Sequence, residues 1–284
     1  MSTIVANTGI LGAMKSAQEG LVSSASPAAP SMASLLANYE AVSGHFDELR
    51  GGVNGPDDGT ALLQAGPGQR AWQRFFATLA GDSAHDLSQR SASLARQIRD
   101  NGITYNVYAD ENGPQRPWSL DLFPLLIEAQ DWQRLEAGVL QRMRLLEHVM
   151  ADVYGEQQLL RAGFLPPALV QGHPGYLRAM HQVVPKGGRH LHLAAFDLAR
   201  GPDGNWWLVG QRMQAPSGLG YLLENRLIIA GQFAPAFESL RVQRLASTYR
   251  ALMDSLRAMS PAGADAHLAL LTPGPYNETY FEHA

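Results

Sequence analysis

The segment Leu271–Ala284, LTPGPYNETYFEHA, and the apolar run His267 to Leu271 decide the predicted architecture. The run predicts a strand, Thr-Pro-Gly-Pro predicts a turn, and Asn277 is suited to begin a helix. Strand, turn and helix start form the opening of a βα unit, whose parallel partner strand requires a crossover of roughly a dozen residues or more. We therefore expect residues 263–284 to be the start of an incomplete βα subdomain, and the chain to be the N-terminal portion of a longer protein.

A second loop, Ala215-Pro-Ser-Gly-Leu-Gly220, precedes a predicted helix over 221–230. Backbone N–H groups at a helix start can bind an anion. The loop matches neither the G-x-G-x-x-G fingerprint nor the G-K-[ST] of a phosphate-binding P-loop. A plain loop with a helix cap is an equally good interpretation, and Asn277 can likewise be a simple helix cap.

Two strands are predicted at 191–199 and 206–213, and the Gly201-Pro-Asp-Gly-Asn205 turn joins them as a hairpin. His190 and His192 are two apart, so on a strand both would face one side and could bind a metal ion. Asp197 has the opposite parity and no third ligand is evident. The simpler alternative is a strand face that tolerates two imidazoles.

Helical periodicity is strongest over 129–154, where Trp132, Leu135, Val139 and later apolar residues form one stripe. Helices are also predicted near 69–79, from Asp82 or Ser83 to Asp100, and over 242–259, with a strand over 103–108. Residues 1–34 have a composition typical of disorder, and residues 35–68 of a loop-rich segment. We expect the main domain to span residues 69–262.

Composition excludes several classes of function. The 284 residues include no cysteine, so disulfides, zinc–thiolate sites and cysteine nucleophiles are excluded, and a cytoplasmic location is expected. A net charge of −4 argues against nucleic acid or a membrane surface as partner. No apolar run approaches the ~20 residues of a membrane span. The chain has two lysines, Lys15 and Lys186.

A family resemblance rests on motifs that occur in order along the chain. They include Asn101–Tyr108 (NGITYNVY), Gly187–Leu193 (GGRHLHL), Asp197–Arg200 (DLAR), Gln214–Gly218 (QAPSG), Leu223–Arg226 (LENR) and Leu271–His283. Over residues 69–284 the chain resembles the circularly permuted type 2 ATP-grasp proteins of bacteria, which are related in fold to glutathionylspermidine synthetase. The resemblance implies an α/β (α+β) fold, with helices around short, mostly antiparallel strands.

The resemblance also implies an ATP-dependent carboxylate–amine ligase, in which magnesium ions bridge the ATP phosphates. It assigns Asp197 to the first metal-binding strand. On the second strand the family carries Glu-Asp-Asn where this chain has Gly210, Gln211 and Arg212, and Gln214 replaces a loop arginine. One magnesium ligand of three is thus retained. Neither lysine matches the family lysine that contacts ATP, so we expect ATP and magnesium to bind poorly to this chain alone.

The resulting hypothesis is the N-terminal part of a peptide-type ligase with eroded magnesium ligands, inactive by itself. Its partners would be a small-molecule or peptide substrate and the remainder of the ATP-grasp chain. The alternative is a non-catalytic binding or scaffold module that retains the fold. Arg212 is expected to replace the metal charge, with Asp197 holding it. The candidate nucleotide- or substrate-binding residues are Arg189, Arg212, Gln214, Ser217, Gly218, Asn225, Arg226, Tyr276, Asn277 and Glu278.

Overall fold

The computed structural model describes residues 44–49, 67–105, 118–214 and 216–283. Within these residues the chain forms helices and one sheet of two antiparallel strands, which is consistent with the expected α/β class. In chain order the elements are α1 (Pro67–Ala77), α2 (Ala84–Asp100), α3 (Ala129–Tyr154), α4 (Gln158–Arg161), α5 (Pro167–Gln171), β1 (Ala195–Arg200), β2 (Trp206–Arg212), α6 (Leu219–Gln232), α7 (Ala234–Ser239) and α8 (Ala246–Met259).

The limits of α2 follow from its sequence. Ser83 and Asp86 form a reciprocal capping box, in which each side chain accepts a hydrogen bond from the other residue's backbone N–H. The helix ends before Gly102, whose φ of +66° suits glycine. The predicted start at Asp82 or Ser83 and the predicted end at Asp100 are confirmed. The predicted helix over 129–154 is also confirmed as α3, and it buries Leu135, Val139 and Val153 on one side.

Aromatic side chains from distant parts of the chain meet in the main core. Phe75 of α1 lies 5.1 Å from Phe233, measured between ring centroids, and 6.0 Å from Phe123. Phe75 and Phe233 are almost fully buried. The core therefore joins the N-terminal helices to the C-terminal end of α6. Its other buried members include Leu49, Trp72, Leu79, Leu87, Leu94, Ile98, Ile103, Tyr221, Ile228, Ile229 and Ala236.

The predicted hairpin is confirmed, with its turn at residues 201–205. Asp197 pairs with Gly210 and Ala195 pairs with Arg212, and a bulge separates Asp197 from Leu198. Phe196 is buried against Val139 in a second, smaller core. Because neighbouring side chains on a strand alternate between faces, Asp197 points away from that core.

Several predicted elements differ in the structure. The strand expected over 191–199 begins at Ala195, so His190 and His192 do not lie on a strand. Residues 103–105 hold one isolated bridge residue, Thr104, and 106–108 lie outside the described residues. The helices expected over 221–230 and 242–259 span Leu219–Gln232 and Ala246–Met259.

The strand predicted over 267–271 is wrong, because no strand among the described residues lies beside it. Leu271 is 98% exposed there. The helix predicted to start at Asn277 is replaced by a 3-10 turn over Tyr280–Glu282. The interpretation of residues 263–284 as the start of an incomplete βα subdomain stays a prediction.

The other domain limits stay predictions. The disorder expected for residues 1–34 falls outside the described residues, as does most of the 35–68 segment. In the described part of the chain, no helix combines the length and the apolar character that crossing a membrane requires.

Candidate functional site

The outer face of the hairpin carries a cation where the resemblance places a metal ion. Arg212 Nη2 donates a hydrogen bond to Asp197 Oδ1 at 2.5 Å. The two side chains are 60% and 40% exposed, respectively. The hydrogen bond to Asp197, and then the negative charge of that carboxylate, raise the pKa of Arg212. Arg212 is therefore a permanent, positioned positive charge at the surface.

The residues of this strand pair do not fit a magnesium ion. Magnesium prefers several oxygen ligands, whereas the Asp197 carboxylate already accepts from Arg212. A Cβ atom at Gly210 would lie 2.7 Å from Asp197 Oδ2, so a glutamate there would require Asp197 to move. Among the residues that the structure describes, no cluster of three or more His, Cys, Asp or Glu could hold a metal ion.

Trp207 lies on the same strand and is 59% exposed. Its side chain hydrogen-bonds to the Asp203 carboxylate. Hydrogen bonds first from the Asn205 side chain and then from the Asn205 backbone lower the pKa of Asp203. An exposed indole on β2 is thus held in place by an ionised carboxylate of the turn.

The glycine-rich loop before α6 contacts Glu282, near the end of the described chain. The backbone N–H of Gly218 donates to Glu282 at 2.7 Å and 2.8 Å, and the N–H of Gly220 donates to it at 2.8 Å. The expected anion-binding turn therefore does hold a carboxylate, supplied by the chain itself. Sequence reasoning missed Glu282, because no local pattern connects positions 64 residues apart.

Other candidates in these loops have local partners or face solvent. The Asn277 carboxamide oxygen accepts from the backbone N–H of Thr279 at 3.0 Å and from its hydroxyl at 2.7 Å, forming an Asx turn. Five further candidate residues are exposed to solvent: Arg189, Gln214, Ser217, Tyr276 and Glu278.

The two candidates on α6 take part in packing. Asn225 Oδ1 accepts from Trp118 Nε1 at 2.9 Å. Arg226 donates to the Gln243 carbonyl at 3.4 Å, and its guanidinium lies 5.6 Å from the centre of the Phe237 ring. Burial lowers the pKa of Arg226. Both side chains join α6 to neighbouring segments.

Tyr221, absent from the predicted candidates, links α6 to residues on three other segments. Its ring stacks on Trp118 at 4.4 Å and contacts Phe281 at 5.4 Å, and its hydroxyl donates to the Thr104 carbonyl at 2.6 Å. Burial, with a smaller effect of the Glu282 charge, raises the pKa of Tyr221 to about 12. The hydroxyl is therefore a neutral structural donor.

The proposed histidine pair is divided between two environments. His190 Nδ1 lies 3.0 Å from Glu147 of α3, and the backbone N–H groups of His190 and Leu191 donate to the same carboxylate. His192 is exposed. Lys186 donates to the Ser260 carbonyl, and Lys15 lies outside the described residues. The described residues thus provide neither a third metal ligand nor a lysine directed at a phosphate.

Comparison with known sequences decides the family. Residues 124–284 match the family described as circularly permuted ATP-grasp type 2. The chain belongs to the circularly permuted ATP-grasp type 2 family. The matched region contains the hairpin, α6 and the segment with Glu282, so the geometry above lies within the ATP-grasp region.

Bacterial relatives cover most of this ATP-grasp chain. It is similar to the uncharacterized protein ML0605 of Mycobacterium leprae, with 35% identity over 84% of this chain and 40% of the relative. It is also similar to Rv2411c of Mycobacterium tuberculosis, with 36% identity over 75% of this chain and 38% of the relative. Synechocystis sll0335 is 32% identical over 70% of this chain and 43% of its own length. The match thus spans about two fifths of each relative.

Proposed function

We propose that the chain supplies part of the substrate-binding surface of an ATP-dependent carboxylate–amine ligase. In this reaction class ATP phosphorylates a carboxylate, and an amine then displaces the phosphate to form an amide. The observation that carries the proposal is the match of residues 124–284 to the circularly permuted ATP-grasp type 2 family, and it is supported by the N–H groups of Gly218 and Gly220, which hold the chain's own Glu282 carboxylate. Backbone donors in this geometry are suited to carboxylate and phosphate oxygens.

The chain by itself is proposed not to turn over ATP. Its Lys186 is engaged with a backbone carbonyl, and its strand pair does not fit magnesium. ATP, magnesium, a small-molecule or peptide substrate and further ATP-grasp polypeptide belong to the proposed complete reaction. A cytoplasmic location likewise remains a prediction.

The test compares this chain with its longer relative ML0605 from Mycobacterium leprae. Both purified proteins are incubated with ATP, magnesium and mixtures of amino acids and short peptides, and ADP release is measured. We expect amine- and carboxylate-dependent ADP release from the relative and none from this chain. A relative that neither binds ATP nor releases ADP would overturn the ligase proposal.

One observation favours a second candidate, a binding module without catalysis. The Asp197–Arg212 ion pair replaces a metal centre with a fixed cation, which suits binding of an anion more than phosphoryl transfer. ATP binding to ML0605 with no ADP release would support this candidate.

A further inference from the structure

We propose that the outer face of the β1–β2 hairpin binds an oxyanion, phosphate or carboxylate, through Arg212 and without a divalent cation. The inference deepens the proposed function and rests on it, since it names the chemical class of ligand that the hairpin would contact in the proposed ligase. It differs from the usual ATP-grasp arrangement in assigning the ligand charge to a guanidinium in place of magnesium.

The strand register closes the position to a metal ion. Asp197 and Gly210 are direct cross-strand partners, and Arg212 lies two residues beyond Gly210 on the same strand. Arg212 reaches diagonally back to Asp197 and donates to Oδ1. A metal ion would have to displace this guanidinium, and Gly210 offers no oxygen ligand in its side chain.

The same geometry leaves Arg212 available to a ligand. A guanidinium has five N–H donors in a planar fork, and the contact with Asp197 uses Nη2. The Arg212 side chain is 60% exposed, so N–H groups that Asp197 does not use can be reached from solvent. Two parallel N–H groups of arginine match the two oxygens of a carboxylate or phosphate.

The surrounding residues are small enough to leave room for that approach. Ala195 is the cross-strand partner of Arg212, and Gly210 precedes it on the same face. Asp197 is the acidic group that contacts Arg212, and it restricts the orientation of the guanidinium. An exposed aromatic residue, Trp207, lies farther along β2.

Magnesium should weaken this interaction. A magnesium ion bound to a polyphosphate neutralises the charge that Arg212 would contact, whereas at a metal-dependent site it would bridge ligand and protein. Whether magnesium lowers or raises the affinity for the ligand therefore distinguishes an arginine-based site from a metal-dependent site.

The experiment uses the 284-residue protein labelled with ¹⁵N. Tripolyphosphate and citrate are titrated separately in EDTA and in excess magnesium chloride, while the arginine side-chain Nε–H signals and tryptophan fluorescence are recorded. The variants are Arg212→Gln and, as a matched control, Arg257→Gln, since Arg257 forms a similarly exposed ion pair with Asp254 on α8.

We expect binding in EDTA with a shift of the Arg212 signal, a loss of about tenfold in affinity for Arg212→Gln, and no change for Arg257→Gln. Magnesium should lower the affinity. The relative response to tripolyphosphate and to citrate identifies the ligand as a phosphate or a carboxylate.

Binding that requires magnesium, an unchanged affinity in Arg212→Gln, or no binding by the unaltered protein would each overturn the inference. The double variant Gly210→Glu/Arg212→Asn restores ligand types of the family, and we expect it to lose binding in EDTA. Failure of the ligase proposal is seen separately, when ML0605 neither binds ATP nor releases ADP.

Discussion

The carboxylate of Glu282 accepts three hydrogen bonds from the backbone N–H groups of Gly218 and Gly220. Gly218, the residue before α6, has no side chain with which to cap the helix. Glu282 therefore satisfies donors that a serine or aspartate usually satisfies, and it does so from a segment distant in sequence. Its negative charge is also favourable beside the positive end of the helix dipole.

Replacement of Glu282 by Gln should lower the free energy of unfolding by about 1–2 kcal/mol, because a charged acceptor at a helix start becomes a neutral amide. Urea unfolding followed by circular dichroism measures the change. The matched control is Glu278→Gln, which alters an exposed carboxylate four residues away and should change stability by less than about 0.5 kcal/mol. Equal effects of the two substitutions would contradict the capping role.

Two glycines of α6 should respond in opposite ways to alanine. A Cβ at Gly220 would lie 3.2 Å from the Cα of Glu282, whereas a Cβ at Gly231 has no heavy atom within 4 Å. Gly231→Ala should stabilise the protein by up to about 1 kcal/mol, since alanine favours helix. Gly220→Ala should stabilise the protein less than Gly231→Ala does, or destabilise it, because the added methyl group pushes the segment that contains Glu282 away from α6. Thermal unfolding of both variants measures the difference, and equal stabilisation would show that the segment does not pack closely on α6.

The sequence predicted those elements whose signals are local. The capping box of α2, the apolar stripe of α3 and the glycine-rich turn of the hairpin involve residues within a few positions of one another. Each signal identifies its element, and the predicted limits of these elements lie within a few residues of the observed limits.

What the sequence did not predict depends on distant contacts. An apolar run such as 267–271 becomes a strand when another backbone pairs with it, and no strand among the described residues lies beside it. Asn225 was a candidate ligand contact by its motif, but its contact with Trp118 depends on packing between positions 107 residues apart. The Asp197–Arg212 pair is expected from the family resemblance, which assigns Asp197 to the metal-binding strands and has an asparagine where this chain has Arg212.

The Glu147 carboxylate should make stability depend on pH. Desolvation raises its pKa, but together the hydrogen bonds from the backbone of His190 and Leu191 and from the His190 ring outweigh it, so the pKa is lowered. Because this carboxyl pKa is lower in the folded protein than in the unfolded chain, where it is near 4.5, the carboxylate stabilises the fold at pH values above the unfolded-state pKa. This stabilisation is lost as the pH falls through the pKa of the folded protein. Glu147→Gln should therefore cost about 1–2 kcal/mol at pH 7 and less at pH 3.

Glu136→Gln is the control for this prediction, since Glu136 is exposed on the same helix. It should have a similar small effect at both pH values. If the cost of Glu147→Gln were the same at pH 3 and pH 7, the carboxylate charge would have no part in holding the segment before β1.

Arg200 connects three separate parts of the structure. Its guanidinium lies 2.9 Å from Glu48 and 3.3 Å from Asp131, and 4.1 Å from the centre of the Phe46 ring. Burial raises the pKa of Glu48, and the charge of Arg200 partly offsets this effect. Because the Glu48 side chain is only 13% exposed, removal of its partner leaves a largely desolvated carboxylate.

Arg200→Gln should lower the free energy of unfolding by about 2–3 kcal/mol, because breaking a partly buried ion pair leaves one charge uncompensated. Adding Glu48→Gln should recover part of that loss, since the uncompensated charge is then removed as well. Urea unfolding of both single variants and the double variant gives the coupling between the two residues. Additive effects would mean that the ion pair does not help to hold residues 44–49 against the hairpin.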